Sequence, residues 1–526
     1  MGLYRGILIA GALVGLQLAC TTTVAGGLTV WVVPSLRRVG PGDPAGPGSL
    51  AALQAGRGEY ESFQIAIKAP AVGGLTHVNV TVSDLSGPGG YAIGQSNITL
   101  YREKYVHVGR GSPDRGGANR PSGAGWYPDA LIPFADPKTG RPLSGAALAA
   151  VPFDVESGKN QPIWVDVFIP RDAAAGMYQG TFTITCDQGN FTGRVTLEVW
   201  NFTLPLRPSL KSSFLQWSAT DTSSIHELLR NKLSPAKTPP SQQRGLIDRF
   251  GLTSGDLGFW SQADISHCSM QPAPPADRLK KAVATHAPDL FLYNYTADEI
   301  DRCPALSAQL KQWARNLHQA GVRNLVTMAP RADLLDDGSG TGRSVVDIWV
   351  LLPVLYDRNV KAVLAAQRKG DDVWSYNALV QDSYSPKWLI DFSPINLRIQ
   401  PGFISQSLGL KGLLYWRVDL WSSDPWNEAN SSQFPQYPGE GMLVYPGKMV
   451  GIEGVAPSMR LKWLRDGVED YEYIELLKEA GAGAWALQVA AEVGGAWDRW
   501  TRDPQQLEAA RRRLGMELSG ADRRTR

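Results

Sequence analysis

Between Leu28 and about Leu206, apolar and polar residues alternate in short runs. "YESFQIAIKA", "HVNVTVSDL", "ITLYREKYVHV", "QPIWVDVFIP", "GMYQGTFTIT" and "FTGRVTLEVW" each repeat with period two. Gly, Pro, Asn and Asp punctuate them. Alternation with frequent turn residues predicts an antiparallel β-sandwich, since successive side chains of a strand point to opposite faces. One long Gly/Pro-rich excursion, "RGSPDRGGANRPSGAGWYPDALIPF", interrupts the series. A loop of that length predicts a functional or interdomain contact.

After "NFTLPLRPSL" the pattern changes. Apolar strands ("KSSFLQW", "DLFLYNY", "VRNLVTMAP", "VDIWVLL", "DVWSYNAL", "KGLLYWRVDLW") now alternate with helical stretches ("SSIHELLRNKL", "SAQLKQWARNLHQAG", "DRNVKAVLAAQRKG"). In the closing stretch "SMRLKWLRDGVEDYEYIELLKEAG", Leu461, Leu464, Val468, Tyr471, Ile474 and Leu477 recur at helical steps. Strand–helix alternation of this length predicts a (β/α)8 barrel. Few strands are visible between Trp217 and Leu290, so the barrel is expected to be compressed or degenerate in its first half. The expected division is a signal segment over 1–25, a sandwich over 26–206, a barrel over 207–480 and a peripheral helical extension over 481–526.

Composition narrows the function classes. With 52 Lys and Arg against 50 Asp and Glu, the net charge is +2, which argues against a nucleic-acid partner. The six His show no HExxH or His-x-His spacing and no CxxC occurs, so neither a metal nor a cofactor is expected. No GxSxG elbow is present. "DDGSGTG" (336–342) lacks a P-loop lysine and reads as a flexible loop. The N-terminal stretch pairs Arg5 with an apolar run from Ile7 to Leu18, the pattern of a secretory signal. "QLAC" resembles a lipobox ending at Cys20, with Gln17 where Leu is usual; cleavage after Ala25 is the alternative. The chain is therefore expected to be exported, either soluble or held to a membrane by a lipid on Cys20. Cys268 and Cys303 can pair in an oxidising compartment or remain free thiols.

Within "YNYTADEID" (293–301) the adjacent acids Asp298 and Glu299 end an apolar strand, where barrel enzymes place their chemistry. The plain alternative is an acid pair complementing the dipole of a following helix. Its surroundings point further. "GWYPDALIP" (125–133), "QPIWVDVFIPRDAAAGMYQGTFTI" (161–184), "YTADE" (295–299), "GLLYWRVDLW" (412–421), "GMLVYPG" (441–447) and "SMRLKWLRDGVEDYEYIELL" (458–477) occur in that order. Together they resemble family 4091 of domains of unknown function and its enzymatic relative, glycoside hydrolase family 123. The resemblance implies a sandwich followed by a (β/α)8 barrel. It implies a retaining β-N-acetylgalactosaminidase whose substrate supplies its own nucleophile, with Asp298-Glu299 as the catalytic pair. Ile300 departs from the family, where Pro is common after the Glu.

The implied chemistry suits a dipeptide. A conventional retaining glycosidase needs acid and nucleophile facing each other, about 5–5.5 Å apart. Neighbours in a regular strand point to opposite faces and suit that poorly. A 2-acetamido sugar relieves the demand, because its carbonyl oxygen attacks the anomeric carbon and forms an oxazolinium ion. Glu299 would then be general acid and base, and Asp298 would orient the acetamide and stabilise positive charge.

Among aromatics, Trp416 is the expected sugar-stacking wall and Tyr376 the expected donor to the acetamide carbonyl, with Trp421, Trp374 and Trp349 as further substrate-binding candidates. Core packing is the alternative for each. Asp336, Asp382 and Asp419 are expected as loop or capping acids; each is also the candidate nucleophile should the substrate not supply one. The substrate is expected to be an oligosaccharide or glycoconjugate with a terminal β-linked 2-acetamido-hexose. A glycosidase for another sugar and a non-catalytic glycan-binding protein are the rival readings.

Overall fold

The computed structural model describes residues 27–524; the signal segment and Cys20 lie outside the described residues. Two sheets form the N-terminal half. One orders the strands Thr29–Pro34, Tyr60–Lys68, Asn160–Phe168, Ile98–Val108 and Gly125–Pro133, all antiparallel. The other orders Leu50–Arg57, Gly189–Thr203, Gly176–Cys186, Leu75–Val82 and Phe153–Val155. Its first pair, Leu50–Arg57 with Gly189–Thr203, runs parallel, a departure from the all-antiparallel expectation. Alternation does the expected work: Phe63, Ile65, Ile67, Val80, Phe182, Ile184, Val195 and Leu197 share one buried core between the sheets.

The C-terminal half carries seven parallel strands: Lys211–Phe214, Gly412–Tyr415, Asp372–Tyr376, Ile348–Leu351, Arg323–Thr327, Phe291–Asp298 and Ser254–Asp256, in that spatial order. The expected eight-stranded barrel is therefore found as a nearly closed seven-stranded sheet. Residues 234–236 bridge the gap. Phe214 N–H donates to Ser234 O (3.0 Å), Ala236 N–H to Phe214 O (2.9 Å) and Asp256 N–H to Ala236 O (2.8 Å). Ser254 Oγ reinforces the seam by donating to Ser212 O (2.7 Å). "SPA" and "SGD" carry no apolar run, which is why neither was visible in the sequence pattern. The helices Pro240–Phe250 and Ala276–Val283 were missed with them.

The Met459–Glu479 helix joins the two halves. Ser458 caps it by accepting the Leu461 N–H (3.1 Å), and it is buried continuously from Met459 to Ile474. Its charges meet the sandwich rather than solvent. Arg460 pairs with Asp129 of the sandwich through Nε and Nη2 (2.9 and 3.0 Å), with neither side chain exposed. Arg465 pairs with Asp166 (3.0 and 3.2 Å), whose carboxylate also accepts from Ser62 and Trp164. Gly467 is required by close packing: a Cβ there would stand 2.5 Å from Arg398 O. The C-terminal extension is also not peripheral. Leu507, Leu514 and Leu518 of the Pro504–Arg524 helix are buried, and Gly515 lies against the Trp200 ring of the sandwich. The long Gly/Pro-rich loop is a domain contact, with Ser112 donating its N–H and hydroxyl to the two oxygens of Asp391 (2.7 Å each).

Candidate active site

The Phe291–Asp298 strand ends in a local distortion that brings the two acids together. Its register against Arg323–Thr327 slips between Tyr295 and Ala297, a bulge that re-aims the strand end. Glu299 then adopts φ 49°, ψ 39°, the left-handed region, which costs a non-glycine residue roughly 1–2 kcal/mol. The surroundings hold it there. Thr327, at the end of the neighbouring strand, accepts the Glu299 N–H (2.9 Å) through the same hydroxyl that donates to Asp298 Oδ1. Asp298 Oδ1 also accepts from Tyr295 OH (2.8 Å), and Glu299 Oε1 accepts from Tyr376 OH (2.7 Å). Burial first, then the neighbouring carboxylates, push both phenols well above their ordinary range, so they remain donors.

Asp298 opens onto a cleft of about 720 Å3 at the C-terminal end of the parallel strands. Trp217, Trp260, Trp416 and Tyr295 supply its aromatic lining, and Lys237 and Asp256 further polar groups. Trp217 and Trp260 are exposed, at 64% and 46%, as flat walls available to a ligand. Neither was picked out from the sequence. Each follows a strand end, but the Ser254–Asp256 strand that announces Trp260 was invisible, and "KSSFLQW" ran Trp217 into the strand that stops at Phe214. Trp416 also lines the cleft, its indole N–H donating to Glu440 Oε1 (2.6 Å). Glu440 also accepts the Leu379 N–H (2.8 Å), and burial pushes it up to about 6.

Other candidates fall elsewhere. Trp374 and Trp349 are fully buried, so neither offers a face to a sugar. Parallel strands are covered on both sides: Trp374 packs inside the sheet against Tyr293, and Trp349 packs outside it, donating to Asp371 (3.0 Å). Trp421 is half-buried away from the cleft lining and donates to Val444 O (2.8 Å). Tyr376 is directed to Glu299. The spare acids are engaged: Asp419 accepts the N–H groups of Trp217, Ser218 and Ala219 (3.0, 2.6 and 2.7 Å), and Asp382 those of Tyr384 and Ser385 plus Lys387 Nζ (2.9, 2.7 and 3.0 Å). Asp336 accepts the Gly338 N–H (2.9 Å) in an exposed loop. Asp419 is thus a brace for the Trp217 wall.

A disulfide joins Cys268 to Cys303. It ties the loop carrying Trp260 to the segment just after the acid pair. Among the described residues no group of three or more His, Cys, Asp or Glu side chains is arranged to hold a metal, and no helix is long and apolar enough to cross a membrane.

Two family models match the chain. Residues 317–477 match "Glycoside hydrolase 123, catalytic domain" and residues 46–186 match "Glycoside hydrolase 123 N-terminal domain". The matched catalytic segment begins after the acid pair. No curated protein matches. Among solved structures, a family 123 glycoside hydrolase from Clostridium perfringens, studied for glycolipid glycan hydrolysis, aligns with a TM-score of 0.67 at 14% identity, over 95% of this chain and 99% of that one. A GH10 xylanase with a bacterial Ig-like domain from termite gut (TM-score 0.28, 9% identity, 59% and 90% covered) and a β-glucuronidase from Parabacteroides merdae (0.25, 10%, 79% and 50%) align too loosely to carry an argument.

Proposed function

The chain belongs to glycoside hydrolase family 123, and from that premise we propose that it removes terminal β-linked 2-acetamido-hexose, N-acetylgalactosamine-like, with retention, the substrate's acetamide acting as nucleophile. One observation carries the reading: two adjacent carboxylates, each anchored through one oxygen by a tyrosine, share a bulged strand end beside an aromatic-walled cleft. Glu299 protonates the glycosidic oxygen and later deprotonates water. Asp298, fixed through Oδ1 by Tyr295 and Thr327, turns Oδ2 to the acetamide N–H and stabilises the oxazolinium charge. The Trp217, Trp260 and Trp416 rings stack on the C–H faces of sugar residues. The engagement of Asp336, Asp382 and Asp419 in loop and capping contacts supports a substrate-supplied nucleophile over these three.

A glycoconjugate glycan is the expected natural substrate. Export is part of the proposal and is supported by the Cys268–Cys303 bond, since disulfides persist in oxidising compartments. Attachment through Cys20 remains the membrane-bound version of it.

A panel of aryl β-glycosides differing at C2 and C4 tests the reading. The 2-acetamido sugars should be hydrolysed and their 2-hydroxyl counterparts left nearly inert. Equal turnover of a 2-hydroxyl glycoside would reject it.

A further inference from the structure

The cleft contains a third carboxylate that the chemistry above does not use. Asp256 ends the Ser254–Asp256 strand, which pairs in parallel with the strand bearing the acid pair. Its Oδ1 accepts the N–H groups of Tyr295 (3.0 Å) and Gly258 (3.1 Å). Two backbone amides therefore fix the carboxyl group, while Oδ2 takes no donor among the described residues. Lys237 lines the same cleft, is exposed, and makes no hydrogen bond or ion pair among the described residues. Burial pushes Asp256 up to about 6, and the Lys237 ammonium works against that rise.

Asp298 is built in the same way, with Oδ1 doubly held and Oδ2 left for a ligand. Tyr295 links the two: its backbone N–H holds Asp256 and its phenol holds Asp298. The two carboxyl groups are thus held at opposite ends of one tyrosine, and both line the same cleft. A carboxylate accepts from a sugar hydroxyl and an ammonium donates to one, so the two groups offer complementary partners for neighbouring hydroxyls.

We propose that Asp256 and Lys237 determine specificity by reading the hydroxyls at C4 and C6 while Asp298 takes the C2 acetamide. The orientation of the sugar rests on the 2-acetamido reading above.

The test uses the full chain, Asp256→Asn and Lys237→Met, each checked for an unchanged melting temperature. Calorimetry measures the binding of N-acetylgalactosamine, its C4 epimer N-acetylglucosamine, and galactose. The wild type should prefer one epimer. Asp256→Asn keeps an oxygen for the Tyr295 and Gly258 amides, so the fold survives, but it should weaken the preferred epimer by about 10–100-fold. The other epimer should change by less than about 3-fold, so the preference collapses. Lys237→Met should act in the same direction, less strongly. A wild type with no epimer preference, a preference that survives in both variants, or equal weakening of both epimers overturns the proposal. Equal binding of galactose and N-acetylgalactosamine by the wild type would instead reject the 2-acetamido reading. The epimer comparison still decides the role of Asp256 in that event.

Discussion

Asp129 lies in the sandwich with no exposed surface, gripped at both oxygens by Arg460 and by Tyr445 (2.7 Å). Asp298 stands exposed at a strand end, held through one oxygen by Tyr295 and Thr327 hydroxyls, with no ion pair among the described residues. Both are fixed in place, but by different means. A buried charge needs a counter-charge and every remaining hydrogen bond, or the cost of removing it from water dominates. A catalytic carboxylate needs a free oxygen and room for a ligand, so neutral donors on one side orient it without neutralising it. The interdomain helix therefore uses arginine, and the proposed reaction site uses phenols and a threonine.

That contrast predicts which changes damage folding and which damage chemistry. Arg465→Met leaves the buried Asp166 with Lys462 (3.0 Å) as its remaining cation, and should cost toward the low end of about 3–5 kcal/mol. A thermal melt should show a large drop, with little folded protein recovered; a melt within a degree or two of the wild type would contradict the role given to this helix.

Glu299→Gln should do the reverse. The melt should hardly move, while hydrolysis of natural glycans falls about 10²–10⁴-fold. Nitrophenyl glycosides, whose leaving groups depart without protonation, should lose less. Equal losses on both substrates would remove Glu299 from the acid role.

Thr327→Val probes the joint between the acids. It keeps the shape but removes the hydroxyl shared by the Glu299 N–H and Asp298, so kcat should fall about 10-fold or more, one charge-assisted hydrogen bond's worth. KM should change little, and Thr327→Ser should restore the rate. A Val variant with unchanged kcat would show the clamp to be idle.

Trp416→Ala should raise KM by a few-fold to tens of fold, the scale of one aromatic contact, with the fold intact. Loss of the folded protein would instead place Trp416 among the core residues.

A further effect is a pH slope. Burial pushes Glu469 up from its usual value near 4.5 to about 8. The folded chain then keeps a proton that the unfolded chain releases. This contribution is full below about 4.5 and lost as pH rises through 8, so stability should decline across that window. Glu469→Gln should flatten the decline; an unchanged slope would assign it to other groups.

The sequence pattern was most informative where burial imposes a period. Both sheets of the sandwich and most of the parallel strands follow from alternation and apolar runs. "SGD" and "SPA" were illegible because they close the sheet through backbone and serine hydrogen bonds rather than apolar side chains. The motifs that carried the family resemblance now have a physical cause: "GWYPDALIP" and "QPIWVDVFIP" supply Asp129 and Asp166, and "SMRLKWLRDGVEDYEYIELL" supplies the arginines that pair with them. The charges of this helix form an interdomain lock, and helical periodicity alone cannot tell a paired buried charge from an exposed one. At the proposed reaction site the acid pair was visible, but the Tyr295 and Thr327 contacts were not. They depend on a bulge and a left-handed residue that no local pattern announces. Trp374 and Trp349 were misplaced for a related reason: in a parallel sheet both faces are buried, so an aromatic on a strand carries no sign of which side holds the ligand.

The proposed mechanism requires that the substrate, and not the protein, supplies the nucleophile. Intact-protein mass spectrometry after incubation with an activated 2-fluoro glycoside tests it most directly, because such a sugar lacks the acetamide and traps any enzyme carboxylate that attacks. A substrate-supplied nucleophile predicts no mass increase, together with competitive inhibition by a thiazoline copy of the oxazolinium that binds far more tightly than substrate. A stoichiometric adduct on a protein carboxylate, with no inhibition by the thiazoline, would contradict it.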